Sequence, residues 1–197
     1  MIGWPGTSTD APRFTLPRRG VSVGLIGADG AGKSTVAEAV RASDPDRAVC
    51  VYMGLYQQGT LAVRPPGLNL ATLVCARAWR WTVGQAQQAR GKLVIFDRCA
   101  ADALLESAQP LSRTGRIRRW VLAHTCPRPG LLILLDAPGN VLATRAGTPD
   151  PSASEDQRQR YLALRKRLPD LFVLDATRSV PELCEDIQQL VRMRTKT

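Results

Sequence analysis

Residues 21–35 read VSVGLIGADGAGKST, and the fold follows from them. A short apolar run, Val21 to Ile26, ends in a glycine-rich turn that opens into a helical pattern near Gly32. Gly27, Gly32, Lys33 and Ser34 fit the spacing G-x-x-x-x-G-K-[ST] in the strand–loop–helix setting that this pattern needs. Backbone N–H groups must converge on phosphate oxygens, so side chains must be missing where the chain curls tightest, at Gly27, Gly30 and Gly32. The helix that follows adds its positive N-terminal end. Lys33 brings a point charge to the β- and γ-phosphates, and the Ser34 hydroxyl suits Mg²⁺. Gly27, Ala28, Asp29, Gly30, Ala31, Gly32, Lys33, Ser34 and Thr35 therefore read as a cradle for a nucleoside triphosphate such as ATP.

Composition narrows what such a site can serve. The 197 residues suit one domain with a sizeable core, and a hydrophobic fraction of 44% with 22% charged residues fits a soluble globular chain. The longest aliphatic run, Leu131 to Leu135, is far too short to span a bilayer, so membrane insertion is not expected. Residues 1–20 form a Pro/Gly/Ser/Thr arm without the apolar stretch of a secretory signal, and flexibility is expected there. Cys50, Cys75, Cys99, Cys126 and Cys184 are odd in number and lack C-x-x-C spacing, which points to reduced thiols in a cytoplasm. With His124 the only histidine, a His-based metal centre or catalytic triad is disfavoured. The formal charge of +10 raises the question of nucleic acid. The arginines are spread along the chain, however, and an enzyme with two phosphate-bearing substrates needs many of them.

Beyond the loop, helical and strand patterns alternate. A helix is expected from Lys33 to Ala42, a strand at Ala48–Met53, a loop at Leu55–Gly67 and a long helix at Leu68–Arg90. A strand at Lys92–Asp97 leads to helical stretches at Ala100–Ala108 and Ser112–Thr125. Leu131–Asp136 is the fourth strand, Gly139–Arg145 a short helix, and Ala146–Ser154 a flexible loop. Glu155–Leu168 reads as helix, Leu171–Asp175 as the fifth strand and Val180–Arg194 as a closing helix. The implied fold is α/β, a five-stranded parallel sheet with helices on both faces and ligands at the strands' carboxyl ends.

Two strands end in aspartate, LVIFD at Asp97 and LLILLD at Asp136. A phosphate-loop enzyme needs one such carboxylate near its metal. Asp97 is followed at once by Arg98, which sets a Mg²⁺ ligand beside a phosphate grip. Asp136 precedes Ala137-Pro138, and helix capping is the reading expected for it. Two segments, Arg77 to Trp81 and Arg113 to Trp120, mix arginine with tryptophan. We read both as amphipathic helices whose tryptophans dock on the core while the arginines stay in water. His124 and Cys99 read as packing residues, although Cys99, next to Arg98, has the surroundings of a reactive thiol.

GADGAGKST, LVIFDR and the late LFVLDAT together resemble thymidylate kinase and its relatives among the P-loop (Walker A) nucleoside monophosphate kinases, over about Val21 to Val191. The resemblance implies a P-loop NTPase fold spanning 21–197 with a lid around 145–160, and the DR strand beside the phosphate-loop strand. It also implies a kinase, a transferase moving phosphoryl from MgATP to a small phosphorylated acceptor, by default dTMP and ATP to dTDP and ADP. Lys33, Asp97, Arg98 and Arg145 are then the expected catalytic residues, with Ser34 and Asp97 holding Mg²⁺. Asp29 would meet the acceptor's 3′-hydroxyl and Arg98 its phosphate. Arg77, twenty residues before Asp97, has the spacing of a second acceptor arginine, with a solvated helix arginine as the other reading. Arg145, Arg158 and Arg160 are candidate lid cations, and Ala176 to Arg178 matches the adenine-side loop.

The chain departs from that pattern at three places. The family's R-E-P-G-G-T after the second strand is replaced by a stretch with Gly54-Leu55-Tyr56-Gln57. Leu73 stands where an aromatic stacks on thymine, forgoing a platform worth roughly 1–3 kcal/mol. CAADALLES follows Arg98 and puts Asp102 near the acceptor pocket, where it would repel a phosphate placed too close but could bind hydroxyls or an amine. The expected partners are ATP and a small-molecule acceptor, with a homodimer as one assembly. Alternatives are a kinase for a sugar or other metabolite, or a nucleotide-binding switch without an acceptor.

Overall fold

In a computed structural model of the chain, which describes residues 20–53, 68–105 and 112–196, five apolar runs pair into one parallel sheet. The strands are β1 (Val21–Ile26), β2 (Ala48–Tyr52), β3 (Leu93–Asp97), β4 (Leu131–Asp136) and β5 (Leu171–Asp175), in the order β2-β3-β1-β4-β5. β1 is central because nearly every residue in it is sealed on both sides, as parallel strands between helical layers require. It pairs with β3 on one side, Leu25 opposite Asp97, and with β4 on the other, Ile26 opposite Leu134. The phosphate loop thus leaves the sheet between the two aspartate-tipped strands, at the point where the strand order reverses direction.

The helices are α1 (Lys33–Ser43), α2 (Leu68–Ala89), α3 (Arg113–His124), α4 (Gly139–Ala146), α5 (Pro151–Ala163) and α6 (Val180–Lys196). Val36, Ala37 and Val40 of α1 recur at helical spacing and are buried in the main core with Leu25, Ile133, Leu183 and Ile187. Each valine, leucine or isoleucine sealed this way contributes about 1.5–3 kcal/mol. A second, smaller cluster holds Val94 and Phe96 on the other face of β3, where Trp81 of α2 stacks on Phe96 with ring centroids 4.9 Å apart. α2 comes this close because Gly84 has no side chain: a Cβ there would lie 2.5 Å from Phe96 Cζ.

Several expectations need correction. The stretch 146–154 is not an open loop. Gly147, with φ +67°, closes α4, and α5 starts at Pro151, with the Asp150 carboxylate accepting the Ser152 N–H at 2.9 Å. Asp150 as cap and Pro151 at the first helical position were the overlooked signals. The helix expected over Glu155–Leu168 ends at Ala163 in a 3₁₀ turn, Leu164–Lys166, and the stretch after Arg98 begins with another, Ala100–Leu104. The tryptophans do not all dock. Trp81 does, but Trp79 and Trp120 are 71% and 64% exposed. On α2 the sheet-facing positions are 77, 81 and 84, so residue 79 turns outward and arginine 77 turns in. His124 is exposed and stacks on Trp120. The N-terminal arm, the loop after β2 with its replaced motif, and residues 106–111 lie outside the described residues. No helix among the described residues is long and apolar enough to cross a membrane.

Candidate active site

The loop after β1 is built by glycines at positive φ: Gly27 at +149°, Gly30 at +82° and Gly32 at +83°. Gly30 is required twice over, because a Cβ there would lie 2.3 Å from the Leu142 carbonyl oxygen of α4. Inside the loop the buried Lys33 Nζ donates to the carbonyls of Gly27 at 2.9 Å and Ala28 at 2.7 Å. Burial, aided by the positive charge of Arg98, lowers its pKa from the usual lysine value. Ser34 and Thr35 are exposed at the start of α1, facing a cleft of about 560 Å³. Arg98, Arg145, Ala176 and Arg178 wall the same cleft, as does Tyr52 at the tip of β2, which sequence reasoning missed.

Below the loop, Ser34 Oγ donates to Asp97 Oδ2 at 2.6 Å. The other carboxylate oxygen, Oδ1, is buried with no hydrogen-bond partner among the described residues. A buried acceptor left unmet costs about 1–3 kcal/mol unless something binds it. A hydroxyl beside a carboxylate with a spare oxygen is the donor set a hard divalent cation takes, so these two residues fit Mg²⁺. No group of three or more His, Cys, Asp or Glu gathers among the described residues.

Arg98 follows Asp97 with φ +68°, the one non-glycine residue in that region among those described. Its Nη2 donates to Asp29 Oδ1 at 2.7 Å, so the loop acid and the DR arginine already meet. Burial works against the Arg98 charge, but the bond to Asp29 and the nearby Asp102 carboxylate outweigh it and raise its pKa. For Asp29 burial is likewise outweighed by Arg98 and Gln157, and its pKa falls. Asp102 sits in the turn just after, its Oδ2 accepting the Cys99 N–H at 3.1 Å and its Oδ1 accepting the Tyr161 hydroxyl at 2.9 Å. Burial raises the pKa of Asp102 despite both bonds. The same burial raises that of the Cys99 thiol, which fits the packing role read for it and argues against a reactive thiol.

Arg77 is buried on α2, not solvated, with its Nε and Nη2 lacking partners among the described residues. The Cys126 thiol lies beside it. A buried guanidinium with open donors is costly and calls for an anion. The three arginines expected to be lid cations divide. Arg158 makes a bidentate pair with Asp136, Nε to Oδ1 at 2.7 Å and Nη2 to Oδ2 at 2.9 Å, and also bonds Glu155. Asp136 is therefore a partner for Arg158 rather than a cap; Pro138 holds the cap position of α4. Arg145 donates to the Ala176 carbonyl at 2.7 Å, and Arg160 to the Asp156 carbonyl at 3.2 Å.

A glycine-rich loop at a topological switch point, with a hydroxyl–carboxylate pair below it, makes this an α/β protein of the P-loop NTPase fold. The solved structures that it is similar to include a thymidylate kinase from Candida albicans, at 16% identity and a TM-score of 0.62 over 90% of this chain and 93% of that one. They also include a deoxyadenosine kinase from M. mycoides in two structures, one with products and one with dATP. These lie at 15% and 14% identity and TM-scores of 0.58 and 0.55, each over 87% of this chain and 99% of the other. The expected thymidylate kinase-like fold is the fold that the chain has. No protein-family model matches the chain, and no curated protein matches it in sequence.

Proposed function

We propose that this chain is an ATP-dependent kinase that transfers a phosphoryl group to a small phosphorylated acceptor, with dTMP the first acceptor to test. The observation that carries this is the Ser34–Asp97 pair with its unmet Oδ1, set under a phosphate loop and next in sequence to Arg98. Lys33 exchanges its two loop carbonyls for donor phosphate oxygens, and the loop amides and the start of α1 orient the rest of the triphosphate. Ser34 and Asp97 hold Mg²⁺, which supplies charge neutralisation at the transferring phosphoryl. Arg98 and the buried Arg77 grip the acceptor phosphate. Arg145, on the cleft wall against Ala176, is the donor-side cation, and Asp29 faces the acceptor's hydroxyl. No general base is needed when the acceptor is already a phosphate, so positioning and electrostatics do the work. The five free cysteines support a reducing, cytoplasmic setting.

ADP release from MgATP is the test, measured with dTMP, other nucleoside monophosphates, deoxynucleosides and sugar phosphates in parallel. The proposal expects release that depends on both Mg²⁺ and one phosphorylated acceptor. Transfer only to a hydroxyl would move the assignment to a nucleoside or sugar kinase. ATP binding with no acceptor-dependent release would leave a nucleotide switch.

A further inference from the structure

One face of α5 touches two of the loops that carry the site. Gln157, one helical turn before Tyr161, accepts the Asp29 N–H at 3.3 Å with Oε1 and donates from Nε2 to Asp29 Oδ2 at 3.3 Å. Asp29 in turn takes Arg98, and the Arg98 backbone runs into Cys99, whose N–H is held by Asp102. Asp102 accepts the hydroxyl of Tyr161, which is 2% exposed and back on α5. The contacts form a closed circuit: Gln157, Asp29, Arg98, Cys99, Asp102, Tyr161. Residues four apart on a helix share a face, so a single rigid element clamps Arg98 from both ends, guanidinium and backbone. The backbone end is where the clamp is needed, because φ +68° at an arginine persists only when its surroundings enforce it.

We infer that Tyr161 and Asp102 are positioning residues for Arg98, acting on the acceptor through it and making α5 a support for the acceptor grip. This rests on the reading of Arg98 as the residue that holds the acceptor phosphate. It also gives Asp102 a structural task, because its two oxygens accept from Cys99 and Tyr161 and hold the turn.

The test uses the full chain and two readouts in Tyr161→Phe, Asp102→Ala and Asp102→Asn. The first is the Arg98 Nε–Hε NMR signal, assigned by its loss in Arg98→Lys, which reports side-chain order without any substrate. The second is steady-state kinetics with MgATP and dTMP. Tyr161→Phe should keep the fold, leave the ATP KM within about twofold and loosen the Arg98 signal. Its kcat/KM for dTMP should drop about 10- to 100-fold, the cost of a small misplacement. Asp102→Asn, which keeps an acceptor for the Cys99 N–H and a donor for the tyrosine oxygen, should retain most of both properties, and Asp102→Ala should retain neither. If Asp102→Ala does not fold, Tyr161→Phe alone decides. A folded Tyr161→Phe protein with Arg98 as ordered as in the wild type overturns the inference, as does an equal loss for ATP and dTMP. A wild type that ignores dTMP refutes the dTMP assignment instead, and the NMR readout still judges the clamp.

Discussion

The tips of β3 and β4 look alike in sequence, each an apolar strand ending in aspartate beside β1, yet their carboxylates are paired differently. At β4 both oxygens of Asp136 are taken by one guanidinium in a bidentate pair. At β3 the Asp97 carboxylate accepts from the Ser34 hydroxyl, and its other, buried oxygen has no partner among the described residues. A carboxylate bonded through both oxygens is already stabilised, whereas one with a buried oxygen unmet is held at a cost that binding would offset. The difference comes from what each strand leads into. Arg98 turns at positive φ and directs its side chain to the loop acid Asp29, while Ala137-Pro138 starts a helix pair whose second member returns Arg158 to Asp136.

The contrast breaks most visibly at Asp97. Replacing it by Asn should lower MgATP-dependent transfer by about 10²–10³-fold, as should Lys33→Ala, the range seen when one transition-state contact is deleted. Steady-state rates with saturating acceptor check this, and retention of a tenth of wild-type activity would refute it. Asp136→Asn is the mirror experiment. It should cost about 1–3 kcal/mol of stability, read as a lower urea midpoint, with only a few-fold loss of rate. If the rate falls as far as for Asp97→Asn, the two tips are not distinct in role.

A smaller effect concerns pH. Burial raises the Asp102 pKa above the ordinary 3.8, so the native state binds a proton more tightly than the unfolded chain. Stability from this group is therefore present at low pH and declines as the pH rises above about 4. Asp102→Asn removes the titration, so wild type should lose stability relative to this variant across that rise in urea melts. A difference that does not change with pH would show that Asp102 ionises as freely as it does in the unfolded chain.

Much of this was legible in advance because it rests on local rules. The glycine pattern around Lys33, the apolar runs and the caps between them dictate the sheet. What stayed hidden depends on long-range packing. Arg77 is buried because α2 turns that face inward, which the run of arginine and tryptophan did not reveal. Nothing in the local sequence singles out Gln157 and Tyr161, which only the fold brings to Asp29 and Asp102. The start of α5, by contrast, was readable: Asp150-Pro151 is a helix cap and first turn, and the polar composition around it masked the signal.

The central claim is that Asp97 with Ser34 holds the magnesium of a bound nucleotide, and calorimetric titration of ATP into the protein with and without Mg²⁺ tests it most directly. Wild type should bind ATP distinctly more tightly when Mg²⁺ is present, while Asp97→Asn keeps the metal-free affinity and loses that gain. An Asp97→Asn protein whose affinity still rises with Mg²⁺ as in wild type would contradict the account.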